Sequence, residues 1–190
     1  MNLPNRLTLS RLVLTLVFLI AEFGTFPYSE TCALLVFGAA SLTDYFDGKI
    51  ARRDGIITSF GTLMDPLADK ILTCSAFIAF VGRGDVAAWM VVVIVARELA
   101  ITGLRLLAAS QHVVLAAERY GKHKTISQIV AILAILVAGS YPEWGSWGAA
   151  LCGPWVPPFA EVAKWLAVLL TMSSGGLYLA RNRNLFLQDL

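Results

Sequence analysis

The chain is poor in charge: 15% of its 190 residues are Asp, Glu, Lys or Arg, against 57% that are hydrophobic. A soluble domain of this size is rarely so apolar. With a mean hydropathy of +0.70, the sequence reads as a membrane protein. A net charge of +2 without a long basic run gives no footing for nucleic acid. Cysteine is scarce as well. Cys32, Cys74 and Cys152 stand far apart and form no CxxC pair, so they read as apolar positions, not as a disulfide framework or zinc site. His112 and His123, eleven residues apart, make no zinc motif. Internal repeats and low-complexity segments are also missing.

What is present is a series of six apolar stretches, about 8–26, 31–50, 62–82, 86–108, 125–141 and 160–181. Each is near the ~20 residues a helix needs to cross hydrocarbon, and lipid excludes open strands because their backbone groups would stay unpaired. The expectation is one all-α membrane domain, 1–190, with six transmembrane helices. Turn chemistry marks the breaks: Gly24-Thr25-Phe26-Pro27, Asp54-Gly55, Gly82-Arg83-Gly84-Asp85 and the Gly/Pro/Trp-rich stretch 139–158. The first stretch follows Arg6 and Arg11 as a secretory signal would. It ends at Glu22 without a small-residue cleavage pattern, so it is expected to be a retained first span.

Six spans put both termini on one side. One set of helix ends is rich in Lys and Arg, from Arg6 and Arg11 through Lys49, Arg52, Arg53, Arg105, Arg119, Lys122 and Lys124 to Arg181 and Arg183. The other holds Arg83 and Lys164 with Glu22, Glu30, Asp85, Glu143 and Glu161. The positive-inside rule assigns the first set to the cytoplasm, and Trp144, Trp147 and Trp155 then become interfacial anchors on the outer side.

The polar residues that demand an explanation lie in DYFDGKIARRDGIITSFGTLMDPLADK, residues 44–70. Asp44 and Asp47 are three apart, and Asp65 and Asp69 four apart; both spacings stack side chains on one helical face. At 1.5 Å per residue, Asp44 lies about 20 Å from the outer start of its helix and Asp69 about 18 Å from the outer end of the next. The four acids therefore gather at similar depth, in the cytoplasmic half. Each costs on the order of 2.5–3.5 kcal/mol at the centre of a span, and mutual repulsion adds to that. A hard divalent cation offsets both, and Mg²⁺ or Mn²⁺ takes carboxylate oxygens while leaving room for phosphate. Four carboxylates suffice for two ions, the arrangement that clamps the attacking and leaving oxygens of an in-line displacement. A structural ion-pair network, or acids facing water beyond the membrane edge, is the alternative, and Lys70 and Arg52 alone do not balance four acids. Gly48 and Gly61 each cost ~1 kcal/mol inside a helix relative to alanine. Close approach of a flat ligand and tight helix packing both account for them.

Asp44, Asp47, Gly48, Ala51, Arg52, Gly61, Asp65 and Asp69 fit the order DxxDGxxARx₈GxxxDxxxD without a gap. This order resembles the signature of the CDP-alcohol phosphatidyltransferases, six-helix membrane enzymes that are usually homodimers. The resemblance implies that Asp44, Asp47, Asp65 and Asp69 surround two divalent metals, Mg²⁺ or Mn²⁺. It implies Asp69 as general base, and Gly48, Arg52 and Gly61 as holders of the cytidine diphosphate part of CDP-diacylglycerol. A base is chemically required, because a free alcohol is a poor nucleophile at neutral pH. No Ser/His or Cys/His pair suggests a covalent intermediate.

A basic cluster bears on the acceptor alcohol. Arg97 lies about 17 Å from the outer start of its helix, level with the aspartates, where its planar fork suits a phosphate dianion; pairing with neighbouring Glu98 or an aspartate is the alternative. Arg105 follows two turns later on roughly the same side, and Lys122 and Lys124 stand at the cytoplasmic mouth of the fifth helix, where they also serve as topology signals. The stretch GKHKT, 121–125, is not a P-loop, for no Ser or Thr follows Lys122 and no Gly lies five residues before Gly121. More narrowly, LPNRLTLSR (3–11), ARELAITGLR (96–105) and GKHKT resemble segments of the phosphatidylglycerophosphate synthases. This implies sn-glycerol 3-phosphate as acceptor, its phosphate held by Arg97, Arg105, Lys122 and Lys124, with Asn5, Thr8 and Arg11 covering the site. The alternatives are another acceptor (phosphatidylglycerol in a cardiolipin synthase, or inositol phosphate), a divalent-metal transporter, and an inactive scaffold. A transporter wants ionisable groups along a path to both faces, and here the acids occupy the inner half. The lack of an Arg/Ser-rich transit segment points to a bacterial inner membrane.

Overall fold

The computed structural model describes the backbone of residues 3–54, 59–110 and 120–183, and the side chains of 9–43, 67–68, 70–109 and 123–183. All regular structure among them is helical: α1 (Leu3–Glu22), α2 (Ser29–Asp54), α3 (Ser59–Arg83), α4 (Ala88–Ser110), α5 (Tyr120–Ser140), α6 (Gly145–Cys152) and α7 (Val156–Arg181). Six are long and correspond to the six apolar stretches. The stretch 139–158, expected as a break, instead folds into a 3₁₀ turn (Tyr141–Trp144) and the short α6. Helix α7 starts at Val156, earlier than the expected 160, because Pro157 and Pro158 fall in its first turn, where a missing N–H costs no intrahelical bond. Helix α1 likewise begins at Leu3 with Pro4 in its first turn, so most of LPNRLTLSR lies on the first helix. Helix α2 ends at Asp54, and the rest of the Asp54-Gly55 turn lies outside the described residues.

Helix α1 packs against α2 and α3, α5 against α2 and α7, and α4 against α3 and α7. The core between them combines large and very small residues. Phe18 meets Phe37 edge to face, ring centroids 5.7 Å apart, and Phe77 meets Phe80 at 6.4 Å. Ala33, Ala40, Ala76, Ala131 and Ala167 are fully buried. Such alanines let helix backbones approach closely, the packing on which helices in lipid depend once burial from water no longer drives them together.

The outside is as apolar as the inside. Ile20, Leu35, Val92, Leu99 and Val162 are each more than 60% exposed, while Arg11, Glu22, Glu98, Lys124 and Lys164 are buried. Water would reject that distribution and lipid accepts it. Among the described residues, two helical stretches are long and apolar enough to cross a membrane, His123–Cys152 and Val156–Arg181.

One end of the bundle is tied by charge. Arg83, closing α3, donates to Glu22 at the end of α1 (2.9 Å) and to Glu30 at the start of α2, and its Nε pairs with Asp85 at 2.8 Å. Glu143 accepts the backbone N–H of Thr31 at 2.9 Å and its hydroxyl at 2.6 Å. It thereby satisfies a first-turn donor of α2 that has no intrahelical acceptor, and its charge suits that helix end. Trp144 donates its indole N–H to the same Thr31 hydroxyl at 3.0 Å, a tie that its reading as an anchor did not include. Lys164 bonds the Asp85 carbonyl and Glu161. These are the acidic-rich helix ends separated from the basic ones by sequence, gathered at one end. The aspartate-bearing halves of α2 and α3 run toward the other.

Candidate active site

Asp44, Asp47, Gly48 and Arg52 all lie on α2, and Gly61, Asp65 and Asp69 on α3. Both helices are continuous through their acids, so the i,i+3 and i,i+4 pairs each occupy one helical face. Helix α3 also runs through Pro66, which cannot donate to the carbonyl of Thr62. The side chains of these residues lie outside the described ones, as do those of Asn5 and Thr8 on α1 and Lys122 on α5. Among the described residues no group of three His, Cys, Asp or Glu could hold a metal ion. The four aspartates remain the candidate set. Their chemistry fits a hard divalent cation, since carboxylate oxygens and nothing softer are supplied.

The basic residues have a definite surrounding. Arg97 donates from Nη1 to Glu98 Oε1 at 3.3 Å and from Nη2 to Ser174 Oγ of α7 at 3.4 Å, while its buried Nε has no hydrogen-bond partner in the protein. The pairing with Glu98, left open by sequence, is therefore present, and it leaves part of the guanidinium unused. Lys124 is buried rather than standing at an open mouth, and its Nζ pairs with the same Oε1 of Glu98. Arg105 rests its guanidinium 5.8 Å from the centre of the Tyr178 ring, a cation–π contact. Tyr178 is 3% exposed and its hydroxyl has no hydrogen-bond partner.

Three further bonds hold this region in register. Gln128 on α5 donates to Thr171 on α7 at 3.0 Å. Lys70, next to Asp69, donates to Thr102 on α4, and Thr102 donates to the Glu98 carbonyl at 2.7 Å. Helices α3, α4, α5 and α7 thus converge on Glu98 and its two cations. Sequence reasoning missed Ser174, Gly175 and Tyr178. The small run Ser173-Ser174-Gly175-Gly176 inside an apolar helix was the available signal, since such runs mark close approach.

The CDP-alcohol phosphatidyltransferase family matches the chain over residues 1–173. The chain belongs to this family. Among relatives, it is 39% identical to the CDP-diacylglycerol–glycerol-3-phosphate 3-phosphatidyltransferase of Bacillus subtilis (strain 168), over 95% of each chain. It is 35% identical to the protein of the same name from Rickettsia bellii (strain RML369-C), over 93% of each. A Mycobacterium tuberculosis (strain CDC 1551 / Oshkosh) protein named "Probable phosphatidylglycerophosphate synthase" is 41% identical, over 95% of this chain and 81% of its own.

Proposed function

We propose that this chain transfers the phosphatidyl group of CDP-diacylglycerol to sn-glycerol 3-phosphate, giving phosphatidylglycerol phosphate and CMP. The observation that carries the acceptor is the pair of half-buried Arg97 and buried Lys124 on Glu98, which supplies cationic donors suited to a phosphate dianion inside an otherwise apolar helix bundle. The names of the relatives point the same way.

In this reading Asp69 takes the proton of the acceptor hydroxyl. The freed oxygen forms a bond to the phosphatidyl phosphorus as the bond from that phosphorus to the CMP oxygen breaks. Gly48, Arg52 and Gly61 hold the cytidine diphosphate part, Asn5 and Thr8 lie over it, and Arg97, Arg105, Lys122 and Lys124 hold the acceptor phosphate. Two Mg²⁺ or Mn²⁺ ions held by Asp44, Asp47, Asp65 and Asp69 supply charge stabilisation at the pyrophosphate oxygens. The same reading has a single domain of six spans in a bacterial inner membrane, both termini and the site on the cytoplasmic side, and a homodimer. The positive-inside pattern supports the orientation; the family resemblance supports the dimer.

The test is CMP release by the detergent-purified protein given CDP-diacylglycerol and Mg²⁺ or Mn²⁺, with each candidate acceptor added separately. Release that requires glycerol 3-phosphate and stops with EDTA is the expected result. Release with only phosphatidylglycerol or inositol phosphate keeps the chemistry and replaces the acceptor. A folded, metal-supplied sample that releases no CMP with any acceptor overturns the proposal.

A further inference from the structure

We propose that Glu98 is a positioning residue for the acceptor phosphate: one carboxylate oxygen sets where Arg97 and Lys124 stand before the acceptor arrives. The inference rests on reading those two cations as phosphate ligands and adds a role for the acid between them.

Glu98 is 6% exposed and is the sole acid of α4. A buried carboxylate in an apolar helix needs compensation, and a structural ion pair would supply it with one cation. Here two cations converge on one oxygen, Oε1: Arg97 from the adjacent position and Lys124 from α5. Without that anion, two like charges at this separation in a low-dielectric interior would repel and turn apart. With it, they stay side by side, and the three groups together keep a net positive charge. A phosphate dianion is attracted to such a site, and the buried Nε of Arg97 has no hydrogen-bond partner in the protein. Donors fixed before the ligand binds need no reorganisation when it does.

The register reaches the reacting side as well. The Glu98 carbonyl accepts from Thr102, which accepts from Lys70, the neighbour of Asp69. Glu98 therefore sits where the helix of the proposed base is tied to the helix of the proposed acceptor site.

The test is steady-state kinetics on full-length Glu98→Gln, which keeps the side chain's size and removes its charge. The Michaelis constant for glycerol 3-phosphate is expected to rise about tenfold or more, the loss of charged hydrogen bonds of this kind. That for CDP-diacylglycerol should stay near the parent value, while the thermal midpoint in detergent should fall, because two cations lose the anion they share. Glu98→Asp, which retains the charge on a shorter stem, should fall between the two. Arg97→Ala and Lys124→Ala are measured alongside. If both raise the acceptor constant and Glu98→Gln does not, the positioning role is refuted and the phosphate reading stands. If neither raises it, the phosphate reading falls and takes the positioning role with it. A Glu98→Gln protein that loses both substrates equally would show a purely structural ion pair.

Discussion

Gly175 on α7 lies directly against the side chain of Arg97 on α4: a methyl group at Gly175 would stand 2.7 Å from Arg97 Cγ. The clash falls on the stem of the arginine, not on its flexible end, so the side chain has to change rotamer or the helices have to part. Gly176, the next residue, has open space where its Cβ would be. Gly175→Ala is therefore expected to cost about 1–3 kcal/mol of stability, the usual penalty of overpacking, and to raise the Michaelis constant for glycerol 3-phosphate. Gly176→Ala should be neutral or gain up to ~1 kcal/mol from helix propensity. Thermal unfolding in detergent and acceptor kinetics on both variants check the pair. Equal effects at the two positions would contradict the contact.

The six long helices were legible in sequence because each coincides with a largely apolar stretch of about 20 residues, and the acids of α2 and α3 stood out against them. The stretch 139–158 misled because its glycines and tryptophans suggest turns, whereas Gly145–Cys152 needs only eight residues to close a short helix. Glu143 as a cap for α2 was beyond reach, since its partner Thr31 is 112 residues away and no local pattern joins them. Arg97 was visible as a cation level with the aspartates, and Lys124 as one at the mouth of its helix. The pairing of Arg97 with its neighbour Glu98 was among the alternatives, but the arrival of Lys124 on the same oxygen was not, because it depends on how the bundle brings the start of α5 to α4. The face of α7 that supports Arg97 escaped for the same reason.

Asp69→Asn is expected to keep the fold and lose nearly all turnover. Asparagine has almost the shape of aspartate, so helix α3 should form as before, but an amide neither accepts the acceptor proton nor offers a charged metal ligand. General-base catalysis alone is worth about 10²–10⁴-fold, and the observed loss should reach at least that range. CMP release together with thermal unfolding separates chemistry from folding. Full activity in this variant would remove Asp69 from the mechanism.

Arg97→Ala is expected to weaken acceptor use far more than CDP-diacylglycerol binding. Removing a charged hydrogen-bonding partner costs about 1.5–3 kcal/mol, roughly ten- to a hundredfold in kcat/KM for glycerol 3-phosphate. Arg97→Lys should recover only part of this, because an ammonium keeps the charge and loses the planar fork. Equal losses for both substrates would count against a phosphate role.

Glu143→Ala probes the opposite end of the bundle, where the expected effect is on stability alone. The carboxylate accepts the Thr31 N–H at 2.9 Å and the Thr31 hydroxyl at 2.6 Å, and it stands at the N-terminus of α2, where negative charge is favourable. Its loss leaves those donors to water or to nothing, at a cost of about 1–3 kcal/mol. Because Glu143 is only half-buried, water should recover part of that, placing the result toward the lower end. The thermal midpoint should fall while both Michaelis constants stay unchanged, since α2 meets its aspartates more than a dozen residues further on, with about 20 Å of helix between. A change in acceptor kinetics without a change in stability would mean that the two ends of the bundle are coupled, and that α2 transmits the state of its first turn to Asp44 and Asp47.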